Sequence, residues 1–156
     1  MSTENVYRPN VAMIIVSSCY PEKKEIFIAR RNDLEDVWQF PQGGIDEGEG
    51  VEEALFRELE EEVGTCKAKI VGEFPEWISY DFPPKIAQKM KPFKGQTQRY
   101  FLLKLDADAE INLETEYPEF NDYKFVHVED VLDLTASFKK PVYEKVIQYF
   151  KEEGLL

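Results

Sequence analysis

Apolar positions along the chain fall into a few short runs. Residues 11–16 (VAMIIV) and 26–29 (IFIA) are rich in β-branched side chains and flank a Tyr-Pro turn region around Pro21, a pattern that predicts two strands. Residues 69–74, 99–105 and 123–128 predict three more, the middle one carrying the strongest apolar run. Residues 39–50, with Pro41 and glycines at 43, 44, 48 and 50, predict a loop with unusual backbone angles. A helix is predicted from Val51 to Gly64, where glycine can take the left-handed C-terminal conformation. The proline-rich stretch 75–96 predicts a long connection of the kind that serves binding rather than spacing. Tyr143, Val146, Ile147 and Phe150 recur at helical spacing behind Pro141 and predict a packed terminal helix. No repeat or linker divides the chain, so residues 1–156 are expected to form one α/β domain, a mixed sheet with helices on its faces.

Composition adds that the chain can bury a real core: 43% of its 156 residues are hydrophobic and 13% aromatic. The first residues lack the apolar core of a secretory signal, and no run approaches the roughly 20 residues of a membrane span. Cys19 and Cys66 form no C-x-x-C pair, and His127 is the single histidine, which argues against zinc, iron–sulfur and disulfide frameworks. A cytoplasmic protein with reduced thiols is expected. The net charge of −12 argues against a DNA partner, which needs a basic face to displace counterions. His127 alternates with Val126 and Val128 and is read as structural.

Acid also binds cations. On the predicted helix Glu58, Glu61 and Glu62 stand at i, i+3 and i+4 and converge on one patch, where three like charges repel. Val51, Leu55, Leu59 and Val63 form an apolar stripe with Glu58 and Glu62 at its edge, whereas Glu53 and Glu60 fall on the far side. An inward carboxylate is expensive unless partnered, and a divalent cation with all-oxygen ligands (magnesium, manganese or calcium) would relieve both repulsion and desolvation. Composition alone is equally met by a solvated face on which Arg57 pairs with neighbouring acids. An EF-hand is excluded, because the loop lacks its alternating ligand pattern.

Gly43, Glu49 and the run Arg57-Glu58-Leu59-Glu60-Glu61-Glu62-Val63-Gly64 fill the pattern G-x5-E-x7-R-E-U-x-E-E-x-G-U, in which U is aliphatic. Across residues 43–65 this resembles the box of the Nudix hydrolases; Thr65 departs from it at the last aliphatic position, and Gly50 gives up a better helix cap. The resemblance implies the Nudix fold, an α/β/α sandwich around a mixed β-sheet. Outside the box, the stretches 7–11, 38–45, Gly95-Gln96 with Gln98, 118–120 and Ser137-Phe138-Lys139 resemble the subgroup of bacterial RNA pyrophosphohydrolases and asymmetrical diadenosine tetraphosphate hydrolases. These motifs do not choose between the two substrates.

The resemblance implies hydrolysis of a pyrophosphate linkage with magnesium or manganese, more than one ion per site. The substrate would be a dinucleoside polyphosphate, giving ATP plus AMP from diadenosine tetraphosphate, or the 5′ end of a triphosphorylated RNA, the step that would start mRNA decay. It assigns Glu58 and Glu62 as core metal ligands, Glu61 as a further ligand or proton acceptor, the Gly43 carbonyl as a backbone ligand, and Glu119 as an additional carboxylate. Arg57 and Glu49 would hold loop and helix together. Arg8, Arg31 and Lys139 match residues near the polyphosphate, and Phe138, Trp77 and Tyr80 are candidates to stack on a base, although core packing is the better account of any one aromatic taken alone. Two other classes stand beside the enzyme: a Nudix-fold module that senses a nucleotide without cleaving it, and a structural calcium-binding protein. The intact set Glu58, Glu61, Glu62 and Glu119 weighs against the first, and the box together with the missing EF-hand ligands weighs against the second.

Overall fold

A computed structural model describes residues 6–34, 36–116, 118–135 and 138–156. Its centre is a parallel pair: β1 (Tyr7–Val16) lies beside β7 (Gly95–Leu105) in continuous register from Tyr7↔Gly95 to Val16↔Lys104. Residues 11–16 of β1 and 100–103 of β7 read as unbroken apolar runs because both faces are covered there. Ala12, Ile14, Val16, Tyr100 and Leu102 point into one core, while Met13, Ile15, Phe101, Leu103 and Leu105 point into the other.

Helix α1 (Val51–Val63) supplies Leu55, Leu59 and Val63 to the second core, and Val51 packs against it. Helix α4 (Lys140–Glu152), preceded by the short α3 (Val131–Leu134), supplies Val142, Tyr143, Val146, Ile147 and Phe150 to the first. The α/β fold class stands, with a helix layer on each side of a mixed sheet.

β2 (Glu25–Arg31) meets β1 only at Val16↔Ile26, then turns away to pair along its length with β8 (Phe120–His127) and, near its end, with β3 (Trp38–Gln39). The vacated edge of β1 is taken by β4 (Gln42–Gly44) at Asn10–Ala12. β7 divides its free edge likewise between β5 (Ala68–Glu73) and β6 (Ile78–Asp81). The sheet therefore parts into two arms at the N-terminal ends of β1 and β7, which leaves room for a cleft.

Two expectations need correction. Residues 39–50 are not all loop: Gln42, Gly43 and Gly44 form β4, and of the four glycines in that stretch only Gly48 has a positive φ, 79°. Nor is 75–96 a plain connection, since it contains β6 and the helix α2 (Pro84–Lys89). The alternation of Ile78 and Tyr80 and the Pro83-Pro84 start signal were present, but the proline count masked them. Ser137 lies outside the described residues.

Gly64 ends α1 at φ 85°, and a Cβ there would also collide with the backbone carbonyl oxygen of Asn112. Gly64→Ala should lose about 1–3 kcal/mol of stability, read as a lower denaturant midpoint at unchanged slope; an unchanged midpoint would show that the cap is dispensable.

Candidate active site

Helix α1 packs on β1 and β4, and this contact brings its acids inward. Glu58 and Glu62 are buried, Glu61 is exposed, and Glu53 and Glu60 face solvent, which is the division expected from the helical projection. Residue 43 must lack a side chain, because a Cβ there would occupy the place of the Glu58 carboxylate. One position on, the alternation of the strand turns Gly44 to the opposite face, where the Arg8 guanidinium lies across it. The consecutive glycines of β4 thus let an acid approach one face of the strand and a cation the other.

Arg57 ties loop to helix. Its Nε and Nη2 donate to the two Glu49 oxygens at 2.7 and 2.8 Å, Nη2 also donates to the Gly44 carbonyl at 2.9 Å, and Nη1 reaches Glu58 at 2.8 Å and Glu61 at 3.1 Å. Glu49 in turn accepts the Asp46 N–H at 3.0 Å. The hydrogen bonds from Arg57 hold the Glu49 carboxyl down at about 2. Arg57 is itself raised, first by Glu49. Thr65, the departure from the box, is buried, and its hydroxyl accepts the Lys67 N–H at 3.1 Å, which closes the turn after the helix.

Burial dominates the two inner acids. It pushes Glu58 up to about 7 against the opposing pull of Arg57. Glu62 is also raised well above the ordinary carboxyl range, by burial first and then by a hydrogen bond shared with Glu119, while the Gln42 N–H works in the opposite direction. Its Oε2 is buried with no partner among the described residues. An orphaned carboxylate oxygen beside two more acids lacks a cation's charge, so the donor set fits a hard divalent ion. Among the described residues no three carboxylates already converge on one ligand point; they face a shared cavity instead.

Glu119 comes from the start of β8. Asn32 secures it, with its backbone N–H on the Glu119 carbonyl at 2.9 Å and its side-chain amide on the Pro118 carbonyl at 2.7 Å. Glu119 borders the acidic cavity on one side and a larger cleft of about 680 Å³ on the other, a volume in the usual range of small-molecule sites.

That cleft gathers Arg8, Arg31, Lys139, Tyr80 and Phe138, five of the six residues assigned to substrate. Lys139 is buried, which pulls its amine down to about 8, with Glu62 and Glu119 opposing the shift. Arg31 pairs with Asp33 at 2.5 Å. Tyr80 and Phe138 face each other with ring centres 5.6 Å apart. Trp77 is not brought in: it sits 5.6 Å from the Arg99 guanidinium and does not border the cleft. His127 is exposed and accepts the Glu129 N–H at 3.1 Å, a local turn contact.

The cleft also holds residues given no role from sequence. Gln42 and Gln96 form its polar floor, and Ile86, Lys89 and Met90 of α2 and its C-terminal cap form its outer wall. The glutamines stood in stretches that resembled the subgroup, but nothing in their spacing announced a contact. The α2 wall was hidden because a helix had not been recognised there.

The model of the NUDIX domain family matches residues 7–146. An RNA pyrophosphohydrolase of a Nitratiruptor species is 63% identical over 148 residues, covering 95% of this chain and 96% of that protein. The RNA pyrophosphohydrolase of Campylobacter jejuni is 55% identical over the whole of both chains. Among solved structures, the E. coli dihydroneopterin triphosphate pyrophosphohydrolase superposes with a TM-score of 0.73 at 22% identity, covering 93% of this chain and 97% of that one, a likeness of fold. With the box filled from Gly43 to Gly64 and its acids held against β4, the chain belongs to the NUDIX domain family of hydrolases.

Proposed function

We propose that this chain, acting as one domain, removes pyrophosphate from the 5′ end of triphosphorylated RNA and leaves a 5′-monophosphate. The observation that carries the reading is the buried pair Glu58 and Glu62, with a Glu62 Oε2 unpartnered among the described residues, and Glu119 bordering both their cavity and the cleft that gathers Arg8, Arg31 and Lys139. The full-length likeness to proteins named RNA pyrophosphohydrolase supports the choice of substrate. Nudix hydrolases work with divalent metals; magnesium or manganese, more than one ion, is the proposed identity here.

Phosphoanhydride cleavage asks chiefly for an in-line water and for neutralisation of charge growing on the phosphate oxygens. Bound divalent ions would supply that neutralisation and lower the pKa of the attacking water. Glu58, Glu62, Glu61 and the Gly43 carbonyl are the residues we assign to hold them, while Arg57 and Glu49 keep the ligand helix against its loop. Glu119, at the junction of cavity and cleft, is placed to orient water. Arg8, Arg31 and Lys139 would take phosphate oxygens that the ions leave free. Tyr80 and Phe138 offer a stacking shelf for a base.

Although the chain carries −12 overall, its cleft presents Arg8, Arg31, Lys89 and Lys139 against two acids, Asp33 and Glu119. Contacts to the first nucleotides suffice, and no length of RNA needs to be gripped. A cytoplasmic setting suits the exposed free thiols Cys19 and Cys66, and neither DNA nor membrane enters the reading.

With magnesium, a short 5′-triphosphorylated RNA should be turned over with kcat/KM at least about tenfold above that for diadenosine tetraphosphate, with pyrophosphate as product. Preference for the dinucleotide, giving ATP and AMP, would reassign the substrate, and activity on neither would leave a nucleotide-sensing module. Glu58→Gln and Glu62→Gln should each keep the fold yet lose most turnover at saturating magnesium; near-normal rates would remove the metal-ligand assignment. Phe138→Ala should raise KM more than it lowers kcat, whereas Trp77→Ala should leave both unchanged; the reverse pattern would move the base shelf to Trp77.

A further inference from the structure

Gln96 is only 4% exposed, yet it borders the cleft. Its Oε1 accepts two hydrogen bonds, from the Tyr80 hydroxyl at 2.6 Å and from Gln42 Nε2 at 3.1 Å. Gln42 is held in its turn, since its Oε1 accepts from Gln98 Nε2 at 2.9 Å, and that nitrogen also donates to Asn10 Oδ1 at 2.7 Å. The amide of Gln96 cannot flip without losing the bond from Gln42, whose Nε2 can only donate, while the Tyr80 hydroxyl anchors the group beside it. Its Nε2, which donates to no other described residue, is left as the open end of the group.

Strand register gives that donor its neighbours. Gln96 pairs with Arg8 on β1 and with Tyr80 on β6, so a guanidinium, an amide and a phenol ring stand in one row across three adjacent strands. Neighbouring strands lie about 4.8 Å apart. That spacing is comparable to the step along a nucleotide from phosphate through ribose to base.

Resting on the reading that this cleft takes a nucleoside polyphosphate, we propose that Gln96 is a specificity-determining residue, an amide donor locked by Tyr80 and Gln42 that reads an oxygen acceptor of the nucleotide between its phosphates and its base. The acceptor is a phosphate or a ribose oxygen. A locked carbonyl makes the site one-way: Gln96 can give a hydrogen bond but cannot turn to receive one. The hydroxyl of Tyr80 then has a task separate from that of its ring, and Gln42 links the floor to the acids, because its own N–H is bonded to Glu62.

Gln96→Met removes the donor at similar size, and Tyr80→Phe releases the lock while keeping the ring. KM and kcat would be measured on the triphosphorylated RNA. Dissociation constants for GTP and for inorganic tripolyphosphate would be measured by calorimetry in the Glu62→Gln background, which stops turnover. Gln96→Met should raise KM and the GTP dissociation constant about 10- to 100-fold with kcat little changed, and Tyr80→Phe about threefold. Weakened tripolyphosphate binding would assign the acceptor to a phosphate, and weakening of GTP alone to the ribose. If Gln96→Met fails to fold, Tyr80→Phe decides, since pure ring stacking predicts no change from loss of the hydroxyl. Normal turnover with unchanged constants in both variants overturns this inference alone. A wild-type chain that binds through Gln96 but hydrolyses nothing overturns the catalytic reading instead.

Discussion

Everything in this molecule is arranged around two carboxylates in a place where water is scarce. Burial disfavours the charged form of Glu58 and Glu62, and both are pushed well above the ordinary range of a carboxyl group. A helix acid could avoid this by rotating outward, but the adjoining stripe of α1 carries Leu55, Leu59 and Val63, whose burial in the core opposes rotation of the helix. The apolar face of the helix therefore holds its acidic edge inward. Three buried aliphatic side chains, worth roughly 1.5–3 kcal/mol each, work against any rotation that would bring the acids out.

The neighbourhood of the acids follows from that constraint. Glycine at 43 leaves the space that the Glu58 carboxylate occupies, and glycine at 44 the space that Arg8 crosses; a side chain at either would displace that group. Arg57 divides its guanidinium between the loop and the acids, bonding Glu49 through both oxygens while touching Glu58. A lysine would offer a point charge without the planar fork that spans these partners.

The cleft has a different origin, in topology. β2 leaves β1 after a single register point, and the two arms of the sheet diverge over the site. Side chains from both arms then meet across the gap: Arg31 from the β2 arm, Arg8, Tyr80 and Gln96 from the other. α4 closes the assembly from beneath, with the Tyr143 ring tilted against Phe40 at 4.3 Å between centres and its hydroxyl accepting the Phe40 N–H at 3.3 Å. Lys139, next to the start of that helix, is carried to the cleft by the same packing.

Local rules made much of this legible in advance. The period of α1, its stop at Gly64, the inward turn of Glu58 and Glu62, and the apolar runs of β1 and β7 all depend on neighbours a few residues away, and each could be read from the chain. The box made Gly43, Glu49 and Arg57 legible as a set for the same reason, since the 23 consecutive positions 43–65 record the end of one short strand, a turn and one helix. The opposite case is anything assembled from distant segments. Trp77 and Tyr80 stand three residues apart and looked alike as aromatics, but only Tyr80 reaches the cleft, because β6 pairs with β7 in a register that sets it beside Gln96. Glu119 joins the acids through Asn32, 87 positions away by count, and Gln96 acquires its lock from residues on two other strands. Pairing of strands far apart in the chain is a matter of register and three-dimensional packing, and no local period carries it.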